Sequence, residues 1–323
     1  MSNPVKNRIN IAIGLFVLVC LPLLFFDPGI HFEERLSGII WNLGHIILFA
    51  AVLWLVMARW QELTKLPIVW VLPAALIIVI LISIPIEIVQ GMNDREPSLK
   101  DILLNCLGAT VVIVFRSKGF PEKFRFLKPG SQLIVSGFLV VVLYPLFTNS
   151  VDAFLMYRSF PVLSDFESPF ELTRWTGPAL EIKKIDGGNR LLVANFTTDE
   201  YSGLSLNSPY ADWSEYDVFS FRIFNPNPVT HHMVLRIHDK QHHLSNWDFD
   251  DRFNQRFDVL SGWNNFSFIL NRVKTQPKNR NLDLSEIDEF EIFTHRLPVK
   301  STFYFDDFLL RKNGSKSINK IID

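Results

Sequence analysis

The chain has 323 residues, is 48% hydrophobic and carries 32 Lys and Arg against 33 Asp and Glu. A balance this close to neutral lacks the basic excess of nucleic-acid binders, so no nucleic-acid partner is expected. Its two cysteines, Cys20 and Cys106, both fall in apolar runs of the first half, which excludes a disulfide framework in the second.

The average hides two halves. Residues 1–150 hold 12 basic and 9 acidic side chains, leaving 20 and 24 for residues 151–323. A spanning helix needs roughly 20 apolar residues, and five segments approach that: Ile9–Phe26, Gly38–Ala58, Pro67–Ile88, Leu99–Phe115 and Gln132–Phe147. The first has too long an apolar core, and no small-residue cleavage site after it, to be a secretory signal, so it reads as a retained helix. The fourth is weakened by Asp101 and Asn105. Basic residues follow the even-numbered spans (Arg59 and Lys65; Arg116, Lys118, Lys123, Arg125 and Lys128) and precede the first (Lys6 and Arg8). By the positive-inside rule these segments face the cytoplasm. Five spans then place the N-terminus inside and residues beyond 150 outside.

Ionisable groups within a membrane are costly and are functional candidates by default. Here they gather at His45, at Glu87 and Gln90, and along Arg95, Ser98, Asp101 and Asn105. Helical spacing places Glu87 and Gln90 on one face, and Asp101, Asn105 and Gly108 on another. In the topology above all seven polar groups share one depth near the outer surface. Competing structural roles exist. Ser98 and Asp101 fit a capping box at the start of the fourth helix, His45 could be an interhelical hydrogen-bond donor, and Gly108 suits close helix packing.

The stretch Glu87-Ile-Val-Gln90, Arg95, Ser98-Leu-Lys-Asp101-Ile-Leu-Leu-Asn105-Cys-Leu-Gly108, with His45 in the second span, resembles the signature of the VanZ-like membrane family. This sequence departs from that family at Trp41 and Asn42, where an Asp-Lys pair is usual. The resemblance covers roughly residues 10–115. It implies a bacterial envelope protein, in a family linked to glycopeptide resistance, and supplies no mechanism.

From Pro161 the period changes to two. Phe219, Phe221 and Ile223 alternate with polar residues, as do Met233, Leu235 and Ile237, and Phe266, Phe268 and Leu270. Further strands are expected at Ala179–Ile185, Arg190–Phe196, Asp288–His295 and Thr302–Leu310, separated by turns such as Asp186-Gly-Gly-Asn and Asn225-Pro-Asn-Pro. Many short strands with regular turns indicate an all-β sandwich. Asp165-Phe-Glu167, Trp213-Ser-Glu-Tyr216, Gly262-Trp263-Asn264 and Phe303-Tyr-Phe-Asp306-Asp307 resemble the galactose-binding-like jelly rolls used as carbohydrate-binding modules. The expected fold class is thus an α-helical transmembrane bundle of about five helices (residues 1–150), a linker (151–160), an all-β jelly-roll sandwich (161–311) and a tail (312–323).

Saccharide sites combine an aromatic face with planar polar groups on one rigid surface. Trp247 is the stacking candidate. Arg222, Arg236, His238 and His295 are the polar candidates, projecting from the non-core face, while Trp213 and Trp263 are expected in the core. A solvated sheet face covered by a loop tryptophan is the structural alternative. Asp165, Glu167, Asp306 and Asp307 lie near the two ends of the sandwich and suit a structural calcium ion. The histidines at 231, 232, 238, 242 and 243 match no closed zinc spacing.

Two functions follow. One is a non-catalytic protein of the bacterial cytoplasmic membrane, its partners membrane lipid and an envelope glycan or peptidoglycan. The alternative is an enzyme or transporter acting on a lipid-linked envelope saccharide or phosphate through the outer-leaflet polar cluster. No nucleophile triad, phosphate loop or closed metal motif speaks for catalysis.

Overall fold

The computed structural model describes residues 4–22, 34–92, 97–185 and 187–312. The chain divides into two compact units, Met1–Phe147 and Thr148–Asp323.

The first unit is helical: α1 (Pro4–Cys20), α2 (Glu34–Arg59), α3 (Ile68–Gly91), α4 (Leu99–Arg116) and α5 (Leu127–Ser159, which continues into the second unit). Three helices are long and apolar enough to cross a membrane, within Leu36–Arg59, Ile68–Gly91 and Leu127–Ser159; Asn7–Cys20 is a shorter apolar helix. The end of the expected first span, beyond Pro22, lies outside the described residues. Leu99–Phe115, the expected fourth span, forms a helix whose Lys100, Asp101, Asn105 and Arg116 leave it outside the three most apolar. Asp101, Leu104, Asn105, Gly108, Ala109, Val112 and Ile113 make a buried stripe along it. That stripe meets Leu43 and Ile46 of α2 at one level and Phe49 of α2 with Val79 of α3 at the next. A helix face packed against its own chain can carry polar groups that a lipid-facing one cannot. The residues expected as a linker, 151–160, are helical up to Ser159, where α5 ends.

The second unit is a two-sheet antiparallel jelly-roll sandwich. Its strands are β1 (Val162–Ser164), β2 (Trp175–Thr176), β3 (Glu181–Lys184), β4 (Arg190–Phe196), β5 (Tyr201–Asn207), β6 (Val218–Asn225), β7 (His231–Asp239), β8 (Phe253–Val259), β9 (Gly262–Ile269), β10 (Ile287–His295) and β11 (Ser301–Arg311), with a short α6 (Leu270–Thr275) before β10. One sheet runs β3-β4-β11-β6-β9, with β1 added to β11; the other runs β2-β5-β10-β7-β8. The chain changes sheet after every strand except β3 and β7, so each sheet supplies half of one core. Because side chains alternate across a strand, Phe219, Phe221 and Ile223 of β6 face Met233, Leu235 and Ile237 of β7 in that core. Phe308 of β11 sits among the rings of Phe221 and Phe290, with centroids 5.2 and 5.6 Å away. Aromatic pairs at this spacing add to the burial of their area.

The core prediction is right for Trp213, which is fully buried, and wrong for Trp263, which is 45% exposed. Position 263 is on the outward face of edge strand β9, opposite Phe224, and the Arg222 guanidinium lies over its ring at 4.9 Å.

Candidate functional site

Two places concentrate polar chemistry. In the helical unit, α2, α3 and α4 each contribute buried groups at one level. His45 Nδ1 lies 3.1 Å from Asn105 Oδ1, and Asn105 Nδ2 donates to Ser83 Oγ at 2.9 Å. Ser83, absent from the sequence reading, stands one turn before Glu87 on the same face of α3 and links that helix to Asn105. Its signal was available, since a serine four residues before a glutamate shares its face. Glu87 Oε2 accepts the backbone N–H of Ser98 at 2.7 Å. Asp101 Oδ2 is 3.7 Å from His45 Nε2. Gln90 is buried on the same α3 face, while Arg95 lies outside the described residues.

The capping box at Ser98 is corrected: Ser98 is the N-cap of α4, but its side chain makes no capping bond. The N–H that Asp101 would take in such a box goes instead to Glu87 of another helix. The start of α4 is therefore tied across the bundle rather than to itself. Three buried atoms at this level, His45 Nε2, Glu87 Oε1 and Asp101 Oδ1, have no hydrogen-bond partner among the described residues. Gly108, one turn below Asn105, lets the backbones close: a Cβ there would stand 2.3 Å from the carbonyl oxygen of Ile46.

In the sandwich, the outer face of the β2-β5-β10-β7-β8 sheet carries the second constellation. Residues 232, 234, 236 and 238 of β7 point outward, as do 289, 291, 293 and 295 of β10. Pairing sets Glu289 between His238 and Asn207, and Glu291 between Arg236 and Ser205, with Asn254 on the other side of Arg236. Arg236 Nη2 reaches Glu289 at 3.4 Å and Glu291 at 3.0 Å, and His238 Nε2 meets Glu289 at 3.0 Å. Burial opposes the charge on Glu289, but the His238 hydrogen bond and the Arg236 charge outweigh it and hold its carboxyl below the usual range. On Glu291 burial wins and pushes the carboxyl up. Beside them Arg252 is held below the ordinary guanidinium value by burial and then by Arg236.

The loop 240–251 folds over one end of this face. Trp247, at φ 62°, presents its ring edge-on to His243 at 4.6 Å, His242 at 5.4 Å and His238 at 5.8 Å. His243 Nε2 and His242 Nδ1 are held by Asp288 at 2.7 Å and Asp251 at 3.1 Å, which fixes the imidazoles and hence the indole. The ring of Trp247 is half exposed and its orientation is set by packing. At the far end of β10, His295 pairs with Tyr201, ring centroids 5.1 Å apart, and Tyr201 packs on Phe293 at 5.9 Å. From Glu289 to His295 the strand advances about 20 Å.

Four of the five expected saccharide residues, Trp247, Arg236, His238 and His295, thus belong to one face. Arg222 does not. It lies on β6 in the opposite sheet, paired with Asp306 at 2.6 Å and Asp307 at 2.8 Å. Strand periodicity assigns a face within a strand and says nothing about which sheet the strand joins.

Arg222 also engages two of the expected calcium ligands. Asp306 and Asp307 spend their carboxylates on it, and Asn189 Nδ2 donates to Asp306 at 3.1 Å. Asp165 Oδ1 accepts the N–H of Glu167 at 3.3 Å, and Glu167 is exposed. Among the described residues no three His, Cys, Asp or Glu side chains gather where they could hold a metal ion.

Burial, then the neighbouring Asp307 charge, pushes the Asp306 carboxyl up to about 6 against the pull of Arg222. A carboxyl raised in the fold contributes stability that is present below its unfolded value and lost as pH rises through about 6. Between pH 4.5 and 7 the sandwich is expected to lose about 2 kcal/mol at this group. Denaturant titrations of Asp306→Asn should lack that loss; curves that run parallel to wild type would mean Asp306 is ionised throughout.

Several solved structures are similar to part of the chain. A family 11 carbohydrate-binding module from Clostridium thermocellum, in complex with a β-1,3-1,4-mixed-linked tetrasaccharide, is 20% identical with a TM-score of 0.34, over 47% of this chain and 94% of that one. An exo-β-agarase is 16% identical with a TM-score of 0.39, over 49% of this chain and 26% of that one. A carbohydrate-binding module specific for non-crystalline cellulose is 11% identical with a TM-score of 0.33, over 47% and 94%. No curated protein matches the sequence. In the helical unit, residues 6–117, which carry His45, Glu87 and Asn105, match the VanZ/LLP1 family model.

Proposed function

We propose that this chain is a bacterial cytoplasmic-membrane protein that presents a saccharide-binding sandwich outside the membrane. The observation that carries the reading is the outer face of the β2-β5-β10-β7-β8 sheet. Arg236, Glu289 and Glu291, held from behind by the buried His238, form a fixed hydrogen-bonding grid between a half-exposed Trp247 and the Tyr201–Phe293–His295 rings. Planar polar groups suit sugar hydroxyls, aromatic rings suit the apolar faces of pyranoses, and the strip is long enough for several sugar rings. Orientation is supported by charge. Trp54 Nε1 donates to Asn10 near the start of α1, and Lys118 N donates to Thr64 O between the α2–α3 and α4–α5 connections. The basic residues around these points therefore share one end of the bundle, which the positive-inside rule assigns to the cytoplasm.

The test is calorimetry of the full-length chain in detergent with the mixed-linked β-glucan tetrasaccharide, xylohexaose and soluble peptidoglycan fragments. Binding of at least one is expected. Trp247→Ala and Arg236→Ala should each weaken it at least tenfold, while Trp247→Ala leaves the melting temperature nearly unchanged. Absence of binding to every probe, or full binding by both variants, would sink the saccharide reading.

The buried atoms of His45, Glu87 and Asp101 that have no hydrogen-bond partner among the described residues favour a second reading, in which the bundle acts on a lipid-linked envelope saccharide or phosphate. Turnover or transport of such a lipid in proteoliposomes, lost in a folded Glu87→Gln variant, would establish it. Equal behaviour of both proteins would leave the bundle as an anchor.

A further inference from the structure

The helical unit has one strongly charged surface. The connections 60–67 and 117–126 are joined edge to edge: Lys118 N donates to Thr64 O at 2.7 Å and Ile68 N to Gly119 O at 3.1 Å. Gly119 is required for that contact, since a Cβ there would lie 1.7 Å from Leu66 O. Around this seam stand Arg8, Arg59, Lys65, Arg116, Lys118, Lys123, Arg125 and Lys128, opposed by Glu62 and Glu122. Several are used internally. Lys65 pairs with Glu62 at 2.7 Å, Lys128 Nζ donates to Ser117 O at 2.7 Å, and Arg116 lies 3.9 Å over Trp54. Lys118 and Arg125 have no ion pair among the described residues, nor does Lys123, which stands 5.9 Å from the Phe124 ring.

The segment 118–128 reads Lys-Gly-Phe-Pro-Glu-Lys-Phe-Arg-Phe-Leu-Lys. It alternates cations with large apolar side chains, and Phe124, Phe126 and Leu127 are exposed, Phe126 at 70%. Trp60 and Leu66 are exposed on the adjoining connection. Exposed rings interleaved with unpaired cations fit neither an aqueous surface nor the hydrocarbon. They fit the layer between, where rings sit at headgroup depth and cations meet lipid phosphates.

We propose that this end of the bundle is a binding surface for anionic phospholipid headgroups, with Lys118, Lys123 and Arg125 as the phosphate-binding cations and Phe124 and Phe126 seated in the interface. The proposal rests on the helical unit spanning a membrane and is independent of the saccharide face. Charge complementarity selects the occupant: a zwitterionic headgroup returns one positive charge for each phosphate and gains little from three uncompensated cations, whereas phosphatidylglycerol offers a net negative charge.

The experiment follows thermal stability of the full-length protein in dodecyl maltoside titrated with POPG or POPC. A ligand that binds the folded state raises its melting temperature with concentration. POPG is expected to stabilise at lower mole fraction than POPC, and 0.5 M KCl should remove the difference, because screening at that ionic strength shortens the reach of surface charge. In a Lys118→Gln, Lys123→Gln, Arg125→Gln variant the POPG needed for half-maximal stabilisation should rise roughly a hundredfold. Equal effects of POPG and POPC on wild type would overturn the proposal, as would an unchanged POPG midpoint in the variant. If the variant does not fold, the salt dependence of wild type decides alone. Glycerol phosphate at the same concentration should be inert; a shift equal to that of POPG would make this a soluble-phosphate site instead. Saccharide binding is not read in this assay, so failure here leaves the sandwich reading standing.

Discussion

Replacing Arg280 by Met is expected to destabilise the sandwich by about 3–5 kcal/mol, the cost of leaving buried charge uncompensated. Arg280 is a clamp between two segments. Its Nη1 and Nη2 reach Asp239 at 2.6 and 2.7 Å, and its Nε and Nη2 reach Asp251 at 2.6 and 2.8 Å. The Asp239 side chain is fully buried and that of Asp251 nearly so. Asp239 ends β7 and Asp251 ends the loop that carries Trp247, so one guanidinium closes that loop onto the sheet. The Arg280 hydrogen bonds hold the Asp251 carboxyl far below its usual range in spite of burial. In the wild type that carboxylate contributes stability above its unfolded value and loses it as pH falls. Without Arg280 the largest force holding the Asp251 carboxyl down is gone and burial is opposed mainly by the His242 hydrogen bond, so that carboxyl rises, and the deficit should be largest at neutral pH and shrink towards pH 4. Differential scanning at pH 7 should show the sandwich transition falling by roughly 10 °C. Arg280→Lys, which keeps the charge and gives up the paired geometry, should recover part of it. A drop of less than 1 kcal/mol would mean that Asp239 and Asp251 are solvated and the clamp is incidental.

The same clamp shows what the sequence could not convey. Trp247, His242, His243, Asp250 and the alternation in β7 identify the loop and the strand as polar and aromatic. Arg280 is 29 residues beyond Asp251 in a stretch without periodicity, and only the folded chain brings it there. Strands β6, β7, β10 and β11 were legible because every second residue is large and apolar. Strand β5, Tyr201-Ser-Gly-Leu-Ser-Leu-Asn207, was missed because Gly203 stands where an outward side chain would be. That glycine is packed so closely on β10 that a Cβ would lie 2.4 Å from Cβ of Phe293. Strand β8 was missed because Phe253, Phe257 and Val259 are separated by Asn, Gln, Arg and Asp. Trp263 was misassigned to the core because bulk alone does not distinguish a core ring from one outside an edge strand.

In the helical unit the legible part was the side-chain inventory. The helical period puts Asp101, Asn105 and Gly108 on one face without knowledge of the fold. The period could not show that this face of α4 is covered by α2 and α3, because hydropathy counts residues and not neighbours. Nor could it show that Glu87 caps α4 from another helix, since capping rules are local and this bond spans 11 residues.

The close approach of α2 and α4 gives the second large effect. Gly108→Leu is expected to destabilise the helical unit by about 3 kcal/mol, at the upper end for overpacking. Even the first carbon of the new side chain meets Ile46 O at 2.3 Å and Ala50 N at 3.1 Å. Both are backbone atoms of a helix and cannot rotate away, so α2 and α4 must separate. Asn105 lies one turn from Gly108 on the same face, and its bond to His45 is 3.1 Å; a separation of 1 Å breaks it and leaves two buried polar groups unpaired, adding to the packing cost. Gly44 is the control, next to His45 on the same helix α2 with nothing within 4 Å of its Cβ position. Gly44→Ala removes backbone freedom in a helix interior without a clash and should stabilise by up to about 1 kcal/mol. Unfolding of the two variants in mixed dodecyl maltoside and SDS micelles, followed by far-UV circular dichroism, should therefore shift in opposite directions. Equal tolerance of both would mean that the two helices do not meet at Gly108, and the polar level built on His45, Asn105 and Ser83 would lose the contact that holds it closed.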